Sequence, residues 1–412
     1  MKIAVFTDLY LEVTGGIPSS ISAQKAELEK LGHEVIVFTP GFKSTDSSVV
    51  LLPTAKHLTI NGAPLAKWPN LVVKFIEKNY PNFGQDFDLI HSHYEAGASI
   101  AASMLAKKYN LPLVQTMHGR EDMAIAVNVA HPFKTFAGKG LNLIHNHYLK
   151  NITGKISVQK DNYLAPTIAT KNMWELMIRQ ANTADEIITP SQHFADKLAH
   201  YGALKPITVV SNGVDDRIAN KYKWPIRSLK NGEKLQIIWT SRLSKEKRII
   251  PFLEALQIVK NSSNDFFFTA LGDGNELELA KKFIKTHKLE DNCKIIGAVS
   301  HDKVLEYLKD QHVSIINSYG FDTQGLTILE AGVTGLPVIY CDEDMDGVLL
   351  KNAGMRAENE TPEAMAALIL SLIRSPEKIQ QMSESAFKSR EQALQSTQIK
   401  NLIKVYEKAI KK

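Results

Sequence analysis

The sequence predicts an α/β protein made of two doubly wound, Rossmann-like domains. Its 412 residues are too many for one ordinary hydrophobic core, and two α/β domains of about 200 residues each fit this length. Short apolar runs alternate along the chain with segments whose apolar residues recur at helical spacing, the pattern of parallel βαβ units. Two such units are especially clear, at residues 2–39 and at residues 314–340.

The composition is that of an ordinary globular protein, with 44% apolar and 23% charged residues and a net charge of +5. The sequence has no run of about 20 apolar residues and enters a strand at its N-terminus, so we expect neither a transmembrane helix nor a signal peptide. Cys293 and Cys341 lack metal-binding spacing and fit a reducing compartment. We therefore expect a cytoplasmic protein that is soluble or bound peripherally to the inner face of a membrane.

The first βαβ unit carries a glycine pair, Gly15 and Gly16, in the predicted loop at residues 8–18 between its first strand and its helix. Ligands of doubly wound sheets bind beyond the carboxyl ends of the strands, and glycines let the backbone approach a ligand closely. The pair is therefore a candidate ligand-binding site. Two glycines alone are also typical of a simple turn.

Histidines lie at the ends of the next two predicted strands. His91 and His93 face the same way, as two metal ligands would, but no further ligand follows at a zinc-binding spacing, so we do not expect a metal site. His118 ends a strand at the ligand-binding edge, where it is either a structural histidine or a substrate contact. The charged residues that follow it either shape an acceptor pocket or are solvated: Arg120, Glu121 and Asp122.

The segment from His131 to Lys171 holds six lysines and one acid, interleaved with apolar residues at roughly helical spacing. Such a mixture is typical of a helix that lies on an anionic membrane surface. A helix that covers the sheet with a solvated basic face is the alternative, because Gly140 and Asn142 interrupt the apolar periodicity. Nucleic acid is not an expected partner, since no recognised binding motif is present. The candidate membrane contacts are Lys134, Lys139 and Lys150.

A basic loop, S-R-L-S-K-E-K-R, follows the predicted strand at residues 235–240. Arg242 and Lys247 in this loop are candidate phosphate ligands, since Arg can bind two oxygens and Lys supplies a compact charge. Taken alone, K-E-K-R is also typical of a solvated helix start. The next predicted strand ends in G-D-G, with Gly272 and Gly274, a weak echo of a phosphate-binding loop without the full spacing.

Residues 314–340 are the most informative stretch and predict strand, loop, helix, strand. The helix would begin at Gly325, and backbone N–H groups together with the helix dipole favour a phosphate there. Asp322 in the loop and Glu330, about two turns into the helix, bracket this position, and carboxylates bind sugar and ribose hydroxyls. Phosphate and hydroxyl partners together indicate a nucleotide sugar. The other candidate donor-binding residues are Thr323, Gln324 and Leu326.

The run D-T-Q-G-L-T-I-L-E-A-G-V-T-G-L-P-V-I resembles the signature of the family 4 retaining glycosyltransferases, in which two acids eight positions apart precede a small-residue helix and a G-x-P-V-I strand. The resemblance implies the GT-B fold, two Rossmann-like domains facing across a cleft that holds the active site. It implies an acceptor-binding and membrane-facing domain at residues 1–205, completed by a crossover helix at about 391–412. The nucleotide-sugar domain would span residues 206–390, beginning with a strand at residues 206–215.

The resemblance also implies roles for the candidate residues. Asp322 would contact the transferred sugar, Glu330 the ribose, and Arg242 and Lys247 the diphosphate. His118 would touch the donor sugar. The glycines near the donor phosphates and the nucleotide would be Gly15, Gly16, Gly272 and Gly274.

The T-Q-G-L variant of the signature most resembles enzymes that glucosylate diacylglycerol. The implied reaction moves a hexose, glucose from UDP-glucose, to a lipid hydroxyl in glycolipid synthesis, with retention at the anomeric carbon and with no metal ion or cofactor. Because Glu330 is expected on the ribose, no carboxylate pair remains for a double displacement. The departing phosphate is therefore expected to assist the incoming hydroxyl.

Two alternatives stay open. A glycosyltransferase with a soluble or polymer-precursor acceptor would keep the motifs of the second half without a membrane surface. A non-catalytic relative that binds a nucleotide sugar is the other alternative, because the first acid is usually Glu and Asp322 is one methylene shorter. A dehydrogenase is excluded, since no G-x-G-x-x-G follows the first strand.

Overall fold

The computed structural model describes residues 1–11, 15–60, 63–130 and 133–412. Part of the predicted loop at residues 8–18, and His131 at the start of the predicted membrane segment, lie outside the described residues. The described chain forms two units. The first unit comprises Met1–Asn212 with Gln398–Lys412, and the second unit comprises Gly213–Thr397.

A parallel sheet forms the centre of the first unit. The strands of this unit are β1 (Lys2–Thr7), β2 (Glu34–Pro40), β3 (Val49–Leu52), β4 (Thr54–Ile60), β5 (Ala63–Ala66), β6 (Leu89–His93), β7 (Leu113–Thr116), β8 (Glu186–Thr189) and β9 (Ile207–Val209). Seven of them form the sheet in the order β3-β2-β1-β6-β7-β8-β9, while β4 and β5 form a separate antiparallel pair. The helices are α1 (Gly16–Lys30), α2 (Pro69–Asn79), α3 (Phe83–Asp86), α4 (Gly97–Tyr109), α5 (Glu121–Asn128), α6 (Phe133–Thr153), α7 (Ile168–Ala181) and α8 (Gln192–His200).

Strand β1 shows why this sheet is buried on both faces. Ala4 and Phe6 belong to one hydrophobic cluster, whereas Ile3 and Val5 belong to another. Successive side chains of a strand point to opposite faces, so a continuous apolar run needs helices on both sides. The run K-I-A-V-F-T therefore specifies a central strand of a doubly wound sheet.

The second unit repeats this design with six parallel strands. They are β10 (Leu235–Trp239), β11 (Phe266–Leu271), β12 (Cys293–Gly297), β13 (Val313–Ile316), β14 (Val338–Tyr340) and β15 (Gly354–Arg356), in the order β12-β11-β10-β13-β14-β15. The helices are α9 (Asp216–Lys221), α10 (Ile249–Lys260), α11 (Leu277–Thr286), α12 (His301–Leu308), α13 (Leu326–Val333), α14 (Pro362–Arg374) and α15 (Glu377–Ser389). Two hydrophobic clusters again cover the two faces of the sheet.

The last helix, α16 (Gln395–Ile410), packs on the first unit from Gln398 onward. Its Leu402 and Val405 join the cluster that contains Ile3 and Val5. The Tyr406 hydroxyl lies 2.7 Å from Nδ1 of His91 in the sheet. Polar contacts add to this apolar docking, since both Lys408 and Lys412 pair with the fully buried carboxylate of Glu186 in β8.

Strand β9 corrects one detail of the sequence prediction. Residues 206–215 were assigned to the start of the second domain, but Ile207 pairs with Ile187 and Val209 with Thr189 of β8. These contacts make β9 the last strand of the first sheet. A three-residue strand carries too little periodicity to reveal which sheet it joins.

Candidate active site

The basic loop after β10 is held in its conformation by an acidic residue of the same loop, Glu246. Residues Lys245–Lys247 form a short 3-10 turn, and α10 begins directly after Arg248, which has a φ of 58°. Nη2 of Arg242 lies 3.0 Å from Oε1 of Glu246, and Ser244 donates a hydrogen bond of 2.7 Å to the same oxygen. Glu246 is buried while Arg242 is 54% exposed. A buried carboxylate thus fixes a guanidinium that remains accessible to an anion.

The G-D-G loop after β11 packs directly against this basic loop. A Cβ atom on Gly272 would overlap the carbonyl oxygen of Ser241, and one on Gly274 would overlap that of Leu243. These two carbonyls flank Arg242 in the chain. Both glycines are therefore required for close backbone packing, and that packing sets the position of the Arg242 backbone. Whether they also line the nucleotide stays a prediction.

Asp322 and Lys247 form a buried ion pair at the same sheet edge. Nζ of Lys247 lies 2.5 Å from Oδ1 of Asp322, and their side chains are 14% and 10% exposed. The Ser318 hydroxyl donates to the other oxygen, Oδ2. Burial alone would raise the pKa of Asp322, but Lys247 and Ser318 outweigh it and hold that pKa below its usual value. Asp322 is therefore an anion in a fixed position.

The loop that carries Asp322 is anchored by a second acid that the sequence analysis did not identify. Asp342 follows β14, is 3% exposed, and accepts a hydrogen bond of 2.7 Å from the backbone N–H of Gly320. It also accepts the N–H of Asp344, at 3.1 Å. A run of acids after a strand, such as residues 342–346, is typical of a solvated loop, but Asp342 in this run is buried. Its position after a neighbouring strand end was the available signal.

Helix α13 begins where the sequence predicts a phosphate site. Gly325, with a φ of 70°, precedes its first residue, and Thr323 and Gln324 are buried in the approach. Glu330 is one turn into the helix rather than two, and its Oε1 lies 3.0 Å from Nε2 of His301 at the start of α12. This hydrogen bond raises the pKa of His301. The second acid of the signature is thus already engaged, by a residue that the sequence did not single out.

His118 belongs to a histidine cluster in the first unit. Its Nε2 lies 2.8 Å from Nδ1 of His93, so one ring donates a hydrogen bond and the other accepts it. Burial lowers the pKa of His118 to about 4, and the ring is neutral at pH 7. His91 contacts the Thr116 hydroxyl as well as that of Tyr406, both at 2.7 Å. These partners give His91 a structural account that needs no metal.

The glycine pair at the start of α1 has a backbone that is open to contact. Gly15 and Gly16 are both exposed, and Gly15 has an extended conformation with a φ of 161°. Among the described residues, no atom lies within 4 Å of a Cβ placed on Gly15. Packing inside the described structure therefore does not explain why Gly15 is glycine, which favours the interpretation that a ligand approaches there.

Helix α6 carries the three lysines predicted to contact a membrane. Lys139 and Lys150 are exposed and Lys134 is half-buried. Phe133 and Phe136 on the same helix are 68% and 72% exposed. A shallow groove of about 540 Å³ lies between α6 and the region around α2, lined by Trp68, Asn70, Leu71, Leu143, Ile144, His147 and Tyr148. In the parts of the chain that the structure describes, no helix is long and apolar enough to cross a membrane.

Each unit thus gathers its own part of the predicted site. In the second unit, Lys247 contacts Asp322 directly, and Arg242 also acts electrostatically on that carboxylate. In the first unit, His118 lies in a buried cluster at the carboxyl ends of β6 and β7. Cations, a fixed carboxylate and a helix start together can bind a group that has both phosphates and hydroxyls.

Comparison with known proteins identifies the family. Residues 14–217 match the family model described as Glycosyltransferase Family 4, and residues 220–389 match the one described as Glycosyl transferases group 1. The alpha-monoglucosyldiacylglycerol synthase of Acholeplasma laidlawii is 26% identical over 394 residues, 94% of this chain and 92% of that protein. The synthase of the same name from Streptococcus pneumoniae is 24% identical over 353 residues, covering 82% of this chain and 70% of that protein.

Solved structures agree with the fold. A sucrose-phosphate synthase from Thermosynechococcus elongatus has a TM-score of 0.68 at 15% identity, covering 99% of this chain and 98% of that one. Anabaena HepE in complex with UDP-glucose has a TM-score of 0.64 at 15% identity, covering 99% and 100%. The predicted fold class and family are confirmed. The chain belongs to the family 4 glycosyltransferases, and it is a hexosyltransferase with the GT-B fold.

Proposed function

We propose that the protein transfers glucose from UDP-glucose to the free hydroxyl of diacylglycerol, with retention at the anomeric carbon. The observation that carries the proposal is the buried Lys247–Asp322 ion pair. Asp322 lies three residues before Gly325, the residue that precedes α13. Cations and a helix start suit a diphosphate, while the fixed carboxylate suits sugar hydroxyls. The names of the two synthases support glucose and diacylglycerol as the substrates.

The proposed chemistry is electrostatic catalysis. The bond between the anomeric carbon of glucose and the β-phosphate oxygen of UDP breaks, and the departing diphosphate gains negative charge. Arg242, Lys247 and the N–H groups at the start of α13 stabilise that charge. The acceptor oxygen forms the new bond on the same face of the sugar, and its proton passes to the departing phosphate. The protein cations meet the charge requirement, so the proposal includes no metal ion.

Donor binding would exchange contacts within the protein for contacts to the donor. Lys247 would turn from Asp322 toward the diphosphate, leaving the Asp322 carboxylate to accept hydrogen bonds from the hexose. Glu330 would exchange His301 for the ribose hydroxyls. The proposal gives the neutral His118 a contact to the hexose, and places the open backbone of Gly15 and Gly16 beside the phosphates.

The lipid acceptor is assigned to the surface of α6. Exposed aromatic side chains such as Phe133 and Phe136 enter lipid interfaces, and nearby lysines are attracted to anionic headgroups. Peripheral binding to the cytoplasmic face of a membrane follows from this assignment. A soluble or polymer-precursor acceptor is the competing proposal, and it gives these exposed side chains no role.

The decisive experiment measures UDP release from the purified protein with UDP-glucose, with and without vesicles that contain diacylglycerol, and the mass of any lipid product. We expect release that depends on the lipid and a lipid product heavier by one hexose. Release only with water-soluble acceptors would replace the lipid proposal. Donor binding without release for any acceptor in a panel would mean that the proposed transfer is wrong and that the protein is a non-catalytic relative that binds the nucleotide sugar.

The membrane assignment has its own test. Replacing Lys134, Lys139 and Lys150 by Gln should weaken binding to anionic vesicles by roughly 100-fold, since each lysine near the surface contributes about 1 kcal/mol. UDP-glucose hydrolysis without vesicles should not change. The matched control replaces three exposed lysines of α11 in the second unit: Lys281, Lys282 and Lys285. Equal vesicle binding by the two triple variants would contradict a role for α6.

A further inference from the structure

A carboxyl group without a partner is buried just after β6. Glu95 is 5% exposed, and neither of its carboxyl oxygens has a hydrogen-bond partner among the described residues. Burying a polar group without a partner costs stability, so such groups are rare in folded proteins and need an explanation. A ligand that supplies the missing hydrogen bonds is one such explanation.

The loop around Glu95 is held in an unusual conformation. The neighbouring Tyr94 has a φ of 73°, which residues with a side chain seldom adopt. Gln115 of β7 donates a hydrogen bond of 3.1 Å to the carbonyl of Tyr94, and the Tyr94 hydroxyl donates one of 3.4 Å to Oε2 of Glu121. Backbone strain of this kind gathers at functional sites, where the surrounding structure maintains it.

Glu121, at the start of α5, is the second carboxyl group of this site. Burial, and then the neighbouring charge of Glu121, raise the pKa of Glu95 well above its usual value. Burial, and then Asp122, raise the pKa of Glu121 to about 7. The raised pKa favours the protonated form of Glu95, and with its pKa of about 7 Glu121 is partly ionised at neutral pH. Together the two carboxyls can donate one hydrogen bond and accept several.

The charged groups of other elements that the structure describes around this pair do not neutralise it with a positive charge. Asp8, after β1, accepts the backbone N–H groups of Ala66 and Ala98, and burial raises its pKa to about 6. His145 of α6 lies beside the Glu95 carbonyl, and burial lowers its pKa to about 4, so it is neutral. Arg120 is already paired with Asp122, at 2.8 Å. An anionic ligand would therefore meet carboxyls that no cation compensates in the described part of the chain.

The Glu95 carboxyl is itself buried, but the residues around it are partly exposed. Glu121 and Tyr94 are partly exposed, as are Ala96 and Gly97 on the other side of Glu95. The site follows β6 and β7, at the carboxyl ends of adjacent parallel strands, where doubly wound sheets bind their ligands. A hydroxyl fits a protonated and an ionised carboxyl best, because it both accepts and donates a hydrogen bond.

We propose that Glu95 and Glu121 form a subsite that binds a hydroxyl group of an uncharged acceptor and disfavours acceptors with a phosphate at this position. The shared chemistry of the ligand is a neutral hydroxyl, from a glycerol unit or from a sugar ring. The inference rests on the proposed function in that it concerns the acceptor of the same transfer reaction. It adds the chemical class of the acceptor group that binds to the first unit.

The test uses calorimetry on the full chain with three soluble probes: hexylglycerol, hexyl glucoside and hexyl phosphate. We expect the wild type to bind one or both of the neutral probes and to bind hexyl phosphate at least tenfold more weakly. The neutral probe that binds more tightly tells a glycerol acceptor from a sugar acceptor. Hexyl phosphate binding as tightly as both neutral probes would overturn the proposal.

Two substitutions at Glu95 separate recognition from structure. Glu95→Leu removes the hydrogen bonds and should weaken neutral-probe binding about tenfold, without lowering the melting temperature, because a buried group without a partner is removed. Glu95→Gln keeps a donor and an acceptor, so it should bind like the wild type at pH 7. It should also bind equally well at higher pH, where the wild type weakens as Glu95 loses its proton. The exposed Glu34→Leu is the control.

Failure of the subsite and failure of the proposed function give different results. If the wild type glucosylates diacylglycerol but Glu95→Leu leaves neutral-probe affinity and acceptor KM unchanged, the subsite is refuted and the function stands. If UDP-glucose is never turned over but the neutral probes bind through Glu95, the subsite stands and the proposed donor and acceptor are wrong. A lower melting temperature in Glu95→Leu, with unchanged probe affinity, would assign Glu95 a structural role.

Discussion

Replacing Gly272 by alanine should impair glucose transfer, although Gly272 has no side chain that could take part in the reaction. The added Cβ would overlap the carbonyl oxygen of Ser241, the residue that precedes Arg242. Gly272 also has a φ of 149°, which residues with a side chain rarely adopt. Either the G-D-G loop or the basic loop must therefore move. Relieving the overlap requires a shift of roughly 1 Å.

Two magnitudes follow from this shift. A displacement of about 1 Å at a catalytic contact can reduce the rate about 100-fold, equivalent to about 2.7 kcal/mol of transition-state stabilisation. Overpacking costs about 1–3 kcal/mol of stability, which lowers the melting temperature by roughly 2–12 °C for a domain of this size. Since Arg242 is proposed to stabilise the departing diphosphate, we expect kcat to fall more than donor affinity.

The assay is UDP release over a range of UDP-glucose concentrations at a temperature where both proteins are folded, together with thermal unfolding. Gly347→Ala in the same unit is the matched control, because Gly347 is exposed and no described atom lies within 4 Å of its Cβ position. A Gly272→Ala protein with wild-type kcat would refute the idea that this glycine positions Arg242. Loss of kcat in the control as well would point to a general effect of Gly→Ala substitution.

Three further predictions concern other contacts. Glu330→Ala should reduce transfer at least ~100-fold with little change in melting temperature, because its partner His301 is half-exposed and can turn to water. The hydrogen bond to Glu330 raises the pKa of His301, so protonated His301 holds Glu330 at low pH. The donor KM should therefore fall as the pH rises through that pKa, and this dependence should vanish in His301→Gln. Replacing Lys408 and Lys412 together by Met should lower the free energy of unfolding, measured in urea at pH 7, by about 3 kcal/mol, because the buried Glu186 carboxylate loses both partners. Glu186→Gln should lower it by less. These lysines hold the pKa of Glu186 below its usual value although burial alone would raise it, so the difference from wild type should shrink as the pH falls through that pKa.

Many strands of the two parallel sheets could be predicted because they are continuous apolar runs. The predicted strand at residues 266–271 coincides with β11, since F-F-F-T-A-L is apolar on both faces and ends at glycine. The short strand β9 was assigned to the wrong sheet, because three residues do not specify a pairing partner. The anchor Asp342 was missed for a related reason. Its burial depends on the backbone of Gly320, which only the folded loop brings near.

Helix α6 shows that buried polar residues can interrupt the apolar periodicity of a helix in the sequence. Asn142 and Gly140 seemed to interrupt its apolar periodicity, yet Asn142 is buried and donates a hydrogen bond of 2.6 Å to Glu175 of α7. Lys171 pairs with the same carboxylate, at 2.7 Å. The buried face of α6 is therefore partly polar and is joined to α7 by hydrogen bonds, a feature that hydrophobic periodicity does not detect. Its apolar side chains, such as Phe136, lie largely on the exposed face instead.

The acids proposed to bind the donor and the acid proposed to bind the acceptor differ in whether they already have a partner. In the second unit, each acid proposed to bind the donor already holds a proton-donating partner: Lys247 for Asp322 and His301 for Glu330. The arriving diphosphate and ribose would take over these interactions, so donor binding need not leave a buried charge without a partner. In the first unit, by contrast, Glu95 has no partner to exchange among the described residues. Under the proposed function, the hydroxyl that it lacks would be supplied by the acceptor, and an empty acceptor site would cost stability that binding returns.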